Sequence, residues 1–194
     1  MPFRGFCKQC AARLVGRALL VSIAVILAPD ASSEVFYAKD EALELAFPEA
    51  DNVEMKTFIL TEDELARAEK MAKVKIDSKL ITFYEGIKDG QLLGYACIDT
   101  HVVRTLPETF MVVMNPEGEV ERVTVLAFHE PQEHLPSARW YEQFRGERLS
   151  PELWPGRKIA GILGSTLSVR AITSGVRKVL AIFQIAVIEK KTRE

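Results

Sequence analysis

The chain has no surplus of positive charge. Its 194 residues carry a formal net charge of −2, so the basic stripe that nucleic-acid binding needs is missing. Cysteine is scarce: Cys7 and Cys10 sit near the start, and Cys97 is alone in the body. The body therefore has no internal disulfide and must be held by packing. Cys97 stands in an apolar stretch and reads as a buried, inert thiol. Cys7-Lys8-Gln9-Cys10 has redox or zinc spacing, but no second Cys or His pair accompanies it. G-x-S-x-G, the P-loop and G-x-G-x-x-G are all missing. His129 and His134 are separated by Pro131, so they cannot share a helical face as the histidines of H-E-x-x-H do. His101, among strand residues, reads as a sheet residue. No repeat or low-complexity tract is found. Hydrolytic and nucleotide-dependent catalysis therefore find little support.

What the chain does have is apolar mass. Apolar residues make up 48% and charged ones 27%, enough for one globular core and too apolar for global disorder. The start has a different character. Arg4, Lys8, Arg13 and Arg17 precede an apolar stretch over residues 18–28, and Pro29-Asp30-Ala31-Ser32-Ser33 follows. A basic head, a short apolar run and a small-residue exit form the layout of a secretory signal, with a cut near Ser33. The run rises only about 16 Å as a helix, short for a bilayer span. Residues 1–33 are thus read as a signal peptide or N-terminal membrane anchor. The expected location is exported, periplasmic or on the extracytoplasmic face of the membrane.

The remaining pattern predicts an α+β fold, an antiparallel sheet of five or six strands with helices packed on one face. A short helix is expected over 39–46 and a strand over 53–60. Thr61-Glu62-Asp63-Glu64 fits the capping box, which opens a helix over 62–72. Lys88-Asp89-Gly90 is hairpin-turn chemistry between strands at 80–84 and 91–104. Asn115-Pro116-Glu117-Gly118 turns between strands at 109–114 and 119–128. Residues 137–144 look helical, with Trp140 and Phe144 on one face. Residues 34–79 are read as an N-terminal helix and strand extension, 80–188 as the main domain, and 189–194 as a solvated tail.

The most informative stretch is Gly164-Ser165-Thr166-Leu167-Ser168, followed by a long 3.6-period apolar pattern to about residue 186. A loop opening into a long helix leaves its first N–H groups without internal partners and places positive dipole there. That end is a seat for a phosphate. By composition alone, an ordinary helix start is the better explanation of the segment.

Leu163-Gly164-Ser165-Thr166-Leu167-Ser168 resembles the S/T-G-A-T-x-S/T motif of the FMN-binding domain family. That family includes the covalently flavinylated subunits of the sodium-pumping NADH:quinone reductase and of Rnf-type complexes. Gly164, Thr166, Leu167 and Ser168 match, Ser165 replaces alanine, and Leu163 replaces the first Ser/Thr. Tyr84-Glu85-Gly86, Gly94-Tyr95-Ala96, Thr105-Leu106-Pro107, Gly118, Glu130-Pro131, Trp140 and Gln143-Phe144-Arg145-Gly146 follow the family's order. The resemblance implies an FMN-binding domain over 80–188, with a long C-terminal helix. It implies FMN as cofactor, joined by its phosphate to Thr166, and a flavin transferase as partner during maturation. A membrane electron-transport complex or extracytoplasmic redox partner would exchange electrons with it. The expected cofactor-binding residues are Gly164, Ser165, Thr166, Leu167 and Ser168 at the phosphate. Thr105, Leu106, Glu130 and Trp140 are expected at the ring, with Met111 and Leu135 as further apolar walls and Arg157 or Lys158 as phosphate counter-charge. No catalytic acid or base and no metal are expected. The alternatives are a reversibly FMN-binding or non-redox structural or sensory module, and a small flavin reductase.

Overall fold

The structure is a computed structural model and describes residues 34–192. The leader reading of residues 1–33, with Cys7 and Cys10, lies outside the described residues. Six strands form one antiparallel sheet: β1 (Glu34–Val35), β2 (Asn52–Ile59), β3 (Leu80–Lys88), β4 (Gln91–Val102), β5 (Pro107–Met114) and β6 (Val120–Phe128). Their order is β1-β6-β5-β4-β3-β2, so the architecture is the α+β fold expected. The segment read as an extension supplies both edge strands of this sheet, and is not an appendage to it.

Local chemistry sets the element ends. Helix α1 is Lys39–Ala46 and helix α2 is Glu62–Ala72. The Thr61 hydroxyl accepts from the Glu64 amide at 3.2 Å, and the Glu64 carboxylate accepts from the Thr61 amide at 2.9 Å. That reciprocal capping box opens α2. The amide bond, first of all, holds the Glu64 carboxyl below its ordinary pKa. Between β3 and β4, Asp89 (φ 51) and Gly90 (φ 74) both take left-handed conformations. This is the two-residue hairpin turn whose twist matches the strands.

The sheet is covered on both faces, which explains the uninterrupted apolar run of β5. Phe110, Val112 and Met114 point into the larger core, while Met111 and Val113 point into a second one. The larger core lies under α2 and the long helix α4 (Thr166–Phe183). Between β6 and α4 run helix α3 (Ala138–Tyr141) and a 3₁₀ turn (Glu142–Phe144), both packed into that core. The second core lies under α1, where Ala42, Ala46 and Phe47 meet Ala96, Met111, Val113 and Leu126. The helices therefore do not all pack on one face: α1 takes the other. Periodicity marks the apolar side of a helix but not which side of a sheet receives it.

Helix α4 runs on through a π-helical turn (Gln184–Ile188) into a short helix α5 (Glu189–Lys191). The segment Thr166–Lys191 is long and apolar enough to cross a bilayer, yet 72% of its most apolar window is buried inside the protein. Residues 189–191, read as part of a solvated tail, are instead tied down. Glu189 accepts two bonds from Arg67 at 2.7 and 2.6 Å, Lys190 pairs with Glu64 at 3.3 Å, and Lys191 donates to the Tyr95 hydroxyl at 3.3 Å.

Candidate functional site

The start of α4 is built as a cup. Gly164 has φ +88, a conformation L side chains avoid, and a Cβ there would meet nothing within 4 Å. The constraint at Gly164 is therefore the backbone turn and not crowding. The Ser165 amide is used by the Ile162 carbonyl at 3.3 Å, and the Val169 amide by the Ser165 carbonyl at 3.0 Å. Between them, the amides of Thr166, Leu167 and Ser168 receive no hydrogen bond acceptor among the described residues. These are the groups that every helix leaves open and that an anion can bridge.

Two side chains from elsewhere close the cup. Arg104, from the β4–β5 loop, and His134, from the 3₁₀ turn Gln132–His134, line it with Gly164, Ser165, Thr166, Leu167 and Ser168. Arg104 Nη1 lies 3.0 Å from His134 Nε2, and an arginine donates, so that nitrogen accepts. The volume is about 80 Å³, small enough for a phosphate-sized group and too small for a three-ring system. Of the lining residues, Ser168 is 1% exposed and its hydroxyl has no partner among the described residues. A buried hydroxyl without a hydrogen bond is costly. Thr166 is exposed, and its hydroxyl makes only a long 3.5 Å contact with the Ile162 carbonyl. The Ser165 hydroxyl makes a similarly long one, 3.4 Å, with the Glu133 carbonyl.

Glu130 positions the cation. The amides of Arg104, Thr105 and Leu106 all donate to one Glu130 oxygen, at 3.0, 2.8 and 2.9 Å. Burial alone would raise the Glu130 carboxyl, but these three amides and the Arg104 charge outweigh it, and its pKa lies below the ordinary value. The folded form therefore draws stability from this contact above the unfolded carboxyl pKa, about 4.3, and loses it as pH falls through the lower folded value. Acidification below about pH 4 is expected to free the 104–106 amides, read as faster hydrogen exchange there. Glu130→Gln should weaken the same amides at neutral pH, at a cost of about 1–2 kcal/mol, and abolish the acid dependence of their exchange.

The residues expected from sequence divide three ways. Gly164, Ser165, Thr166, Leu167 and Ser168 come together in the cup. Glu130, Thr105 and Leu106 form its supporting loop, in which Glu130 Oε1 is committed to backbone amides. Trp140 does not line the cup. It is buried, its indole N–H donates to the Ala160 carbonyl at 2.7 Å, and its ring packs edge-on against Tyr141 and Phe144. Met111 is fully buried under α1, on the sheet face away from α4, so it cannot wall a ligand there. Leu135 is half-buried and lines a different surface cleft with Phe36 and Tyr141. Arg157 and Lys158 are engaged by Glu152 and Glu147. The cation that does line the cup is Arg104. Sequence reading missed Arg104 and His134 because they are 30 residues apart and meet only through the fold.

A buried polar pair lies on the neighbouring strands β4 and β5, where His101 is the register partner of Glu108. Glu108 is fully buried, and its Oε2 lies 3.0 Å from His101 Nε2. Glu108 Oε1, His101 Nδ1 and the Tyr141 hydroxyl have no partner among the described residues. Burial first, and then the charge of Glu108, push the Tyr141 phenol up.

Comparison with known proteins adds no name to this geometry. No family model matches the chain, and no curated protein matches it.

Proposed function

We propose that this protein is an exported flavoprotein that carries FMN, joined through its phosphate to Thr166, and exchanges electrons with a membrane redox complex or an extracytoplasmic partner. One observation carries the reading. Three unpartnered amides, a buried unpartnered Ser168 hydroxyl and Arg104 converge on a phosphate-sized cup beside an exposed, loosely held Thr166 hydroxyl. The motif resemblance gives that anion its identity. When bound, FMN supplies one- and two-electron transfer. The chain's own part is to hold the phosphate with the α4 amides and Arg104 and to keep water from the Ser168 hydroxyl. A covalent ester keeps the cofactor's local concentration independent of supply outside the cytoplasm. The ring does not enter the cup; exposed Leu163 and Leu167 are the apolar surface nearest to it in sequence.

A flavin transferase would join the Thr166 oxygen to the phosphorus, with loss of the threonine proton and of the group previously on the phosphate. Expressed for export beside such a transferase, the chain is expected to gain the mass of one FMN less one water. It should also fluoresce after denaturing electrophoresis. Thr166→Ala should abolish both completely. Retention of covalent flavin in that variant refutes the attachment site, and absence of any flavin in the unsubstituted chain refutes the carrier reading. Leu163, fully exposed where the family motif has Ser/Thr, favours a second reading, a reversible FMN binder. That form would copurify with yellow colour and lose it on unfolding.

A further inference from the structure

The sheet contains a fork. The β3–β4 ladder runs from Lys88↔Gln91 to Tyr84↔Ala96 and stops there, although β3 begins at Leu80 and β4 continues to Val102. Both prongs stay paired on their outer sides, Leu80 to Phe83 with β2 and Cys97 to Val102 with β5. Continuing the register would pair Thr82 with Ile98 and Leu80 with Thr100, and neither pair is made. Backbone direction follows from the neighbouring bonds. Asp51 donates to the Ile87 carbonyl and Leu60 to the Lys79 carbonyl, so odd-numbered β3 residues face β2 and even-numbered ones the fork; the Ser78 hydroxyl takes both peptide groups of Leu80 at 3.1 Å, which leaves those of Thr82. Val103 donates to the Leu106 carbonyl beyond the β4–β5 ladder, so odd-numbered β4 residues face β5 and the peptide groups of Ile98 and Thr100 face the fork.

A cavity of about 520 Å³ fills the gap, a size that suits a bound molecule. Tyr37, Tyr84, Ile98 and Leu126 line it on the α1 side of the sheet; Ile76, Ile81 and Ile182 line it on the α4 side. Its charges balance: Lys178 pairs with Asp99 at 2.5 Å, and Lys39 and Asp77 stand at the wall. At the prong tips Leu80 and Val102 are more than half exposed.

We propose that this fork is a docking slot for an extended, uncharged peptide segment of a partner protein, inserted as a strand between β3 and β4. Main-chain donors and acceptors recur on the β4 prong at every second residue, at Ile98 and Thr100, and face those of Thr82 across the gap, which is the repeat of a peptide backbone and of no compact ring. Successive side chains of an inserted strand point to opposite faces, and both faces here offer apolar and aromatic walls. The absence of net charge in the lining selects against a charged segment. Sheet edges recruit extended peptides by main-chain bonding with side-chain pockets for specificity, and an inner fork offers two such edges at once. The slot is distinct from the cup, but the β4 prong leads directly into the loop that carries Arg104.

The test is an amide NMR titration of the full chain with acetyl-Thr-Val-Thr-Val-amide, beside the same peptide N-methylated at both valines. Saturable shifts and slowed hydrogen exchange at Thr82, Ile98 and Thr100 are expected, with binding weakened about tenfold or more by N-methylation. Absence of saturable shifts at millimolar peptide overturns the proposal, as does equal binding of the N-methylated peptide. It is also overturned if those three amides are already slow to exchange in the free protein, because the ladder is then closed in solution. Flavin attachment at Thr166 is read separately by mass, so failure of either reading leaves the other standing.

Discussion

Arg177→Leu is expected to lower stability by about 2–4 kcal/mol, a fall of roughly 1–2 M in the urea midpoint. Arg177 lies inside α4, 2% exposed, with no carboxylate paired to it among the described residues. Its guanidinium donates instead to four backbone carbonyls: Ala72 at 2.8 Å, Met71 at 3.2 Å, Ser150 at 2.6 Å and Leu153 at 3.1 Å. Two of these end α2, where the helix dipole is negative and carbonyls lack helical partners. The other two belong to the loop before α4, and Trp154 lies 4.9 Å under the same cation. Burial lowers the Arg177 pKa from its ordinary value, but an arginine remains charged at neutral pH. Leucine would keep much of the volume and strand four acceptors. Arg177→Lys should fall between, since an ammonium cannot reproduce the planar fork. If burial of the charge outweighed those bonds, the leucine variant would be as stable as the parent or more so. A urea midpoint that does not fall would therefore refute the assignment.

The second large effect concerns the buried pair His101 and Glu108. His101→Phe keeps a ring beside Phe110, whose centroid lies 5.0 Å from that of His101, and removes the bond to Glu108 Oε2. Glu108 is fully buried and its other oxygen is already unpartnered. Stranding a buried carboxyl of this kind costs about 3–5 kcal/mol. The pair His101→Phe with Glu108→Leu should be far milder than that single change, because apolar replacement of both partners leaves nothing unsatisfied. A double-mutant cycle on thermal or urea unfolding measures the difference, and simple additivity would show that the two groups do not depend on each other.

Much of the fold was legible because its signals are local. The Thr61 and Glu64 box placed α2 to the residue, and Asp89-Gly90 placed the β3–β4 turn, since cap and turn chemistry act within four residues. The face on which α1 packs was not legible. Ala42 and Ala46 mark an apolar side, and only Met111 and Val113 of β5 reveal where it goes. The fork was hidden for a similar reason, because residues 80–84 and 97–102 read as good strand whether or not they pair. At the cup, the segment from Gly164 to Ser168 announced itself by a turn residue before a long periodic run. Arg104 and His134 carried no such sign. Trp140 misled in the opposite sense: an aromatic near a suspected ligand looked like a wall, yet its indole serves the Ala160 carbonyl 20 residues away.

The outermost strand has a consequence of its own. Glu34 and Val35 lie along the free side of β6 opposite Phe128 and Ala127, and the amides of Phe36 and Tyr37 both donate to the Leu126 carbonyl beside them. The processing cut expected near Ser33 would fall immediately before Glu34 and spare the cover. Trimming two residues further would bare the Ala127 and Phe128 end of β6, a short row of amides and carbonyls on which a strand of a second copy can pair.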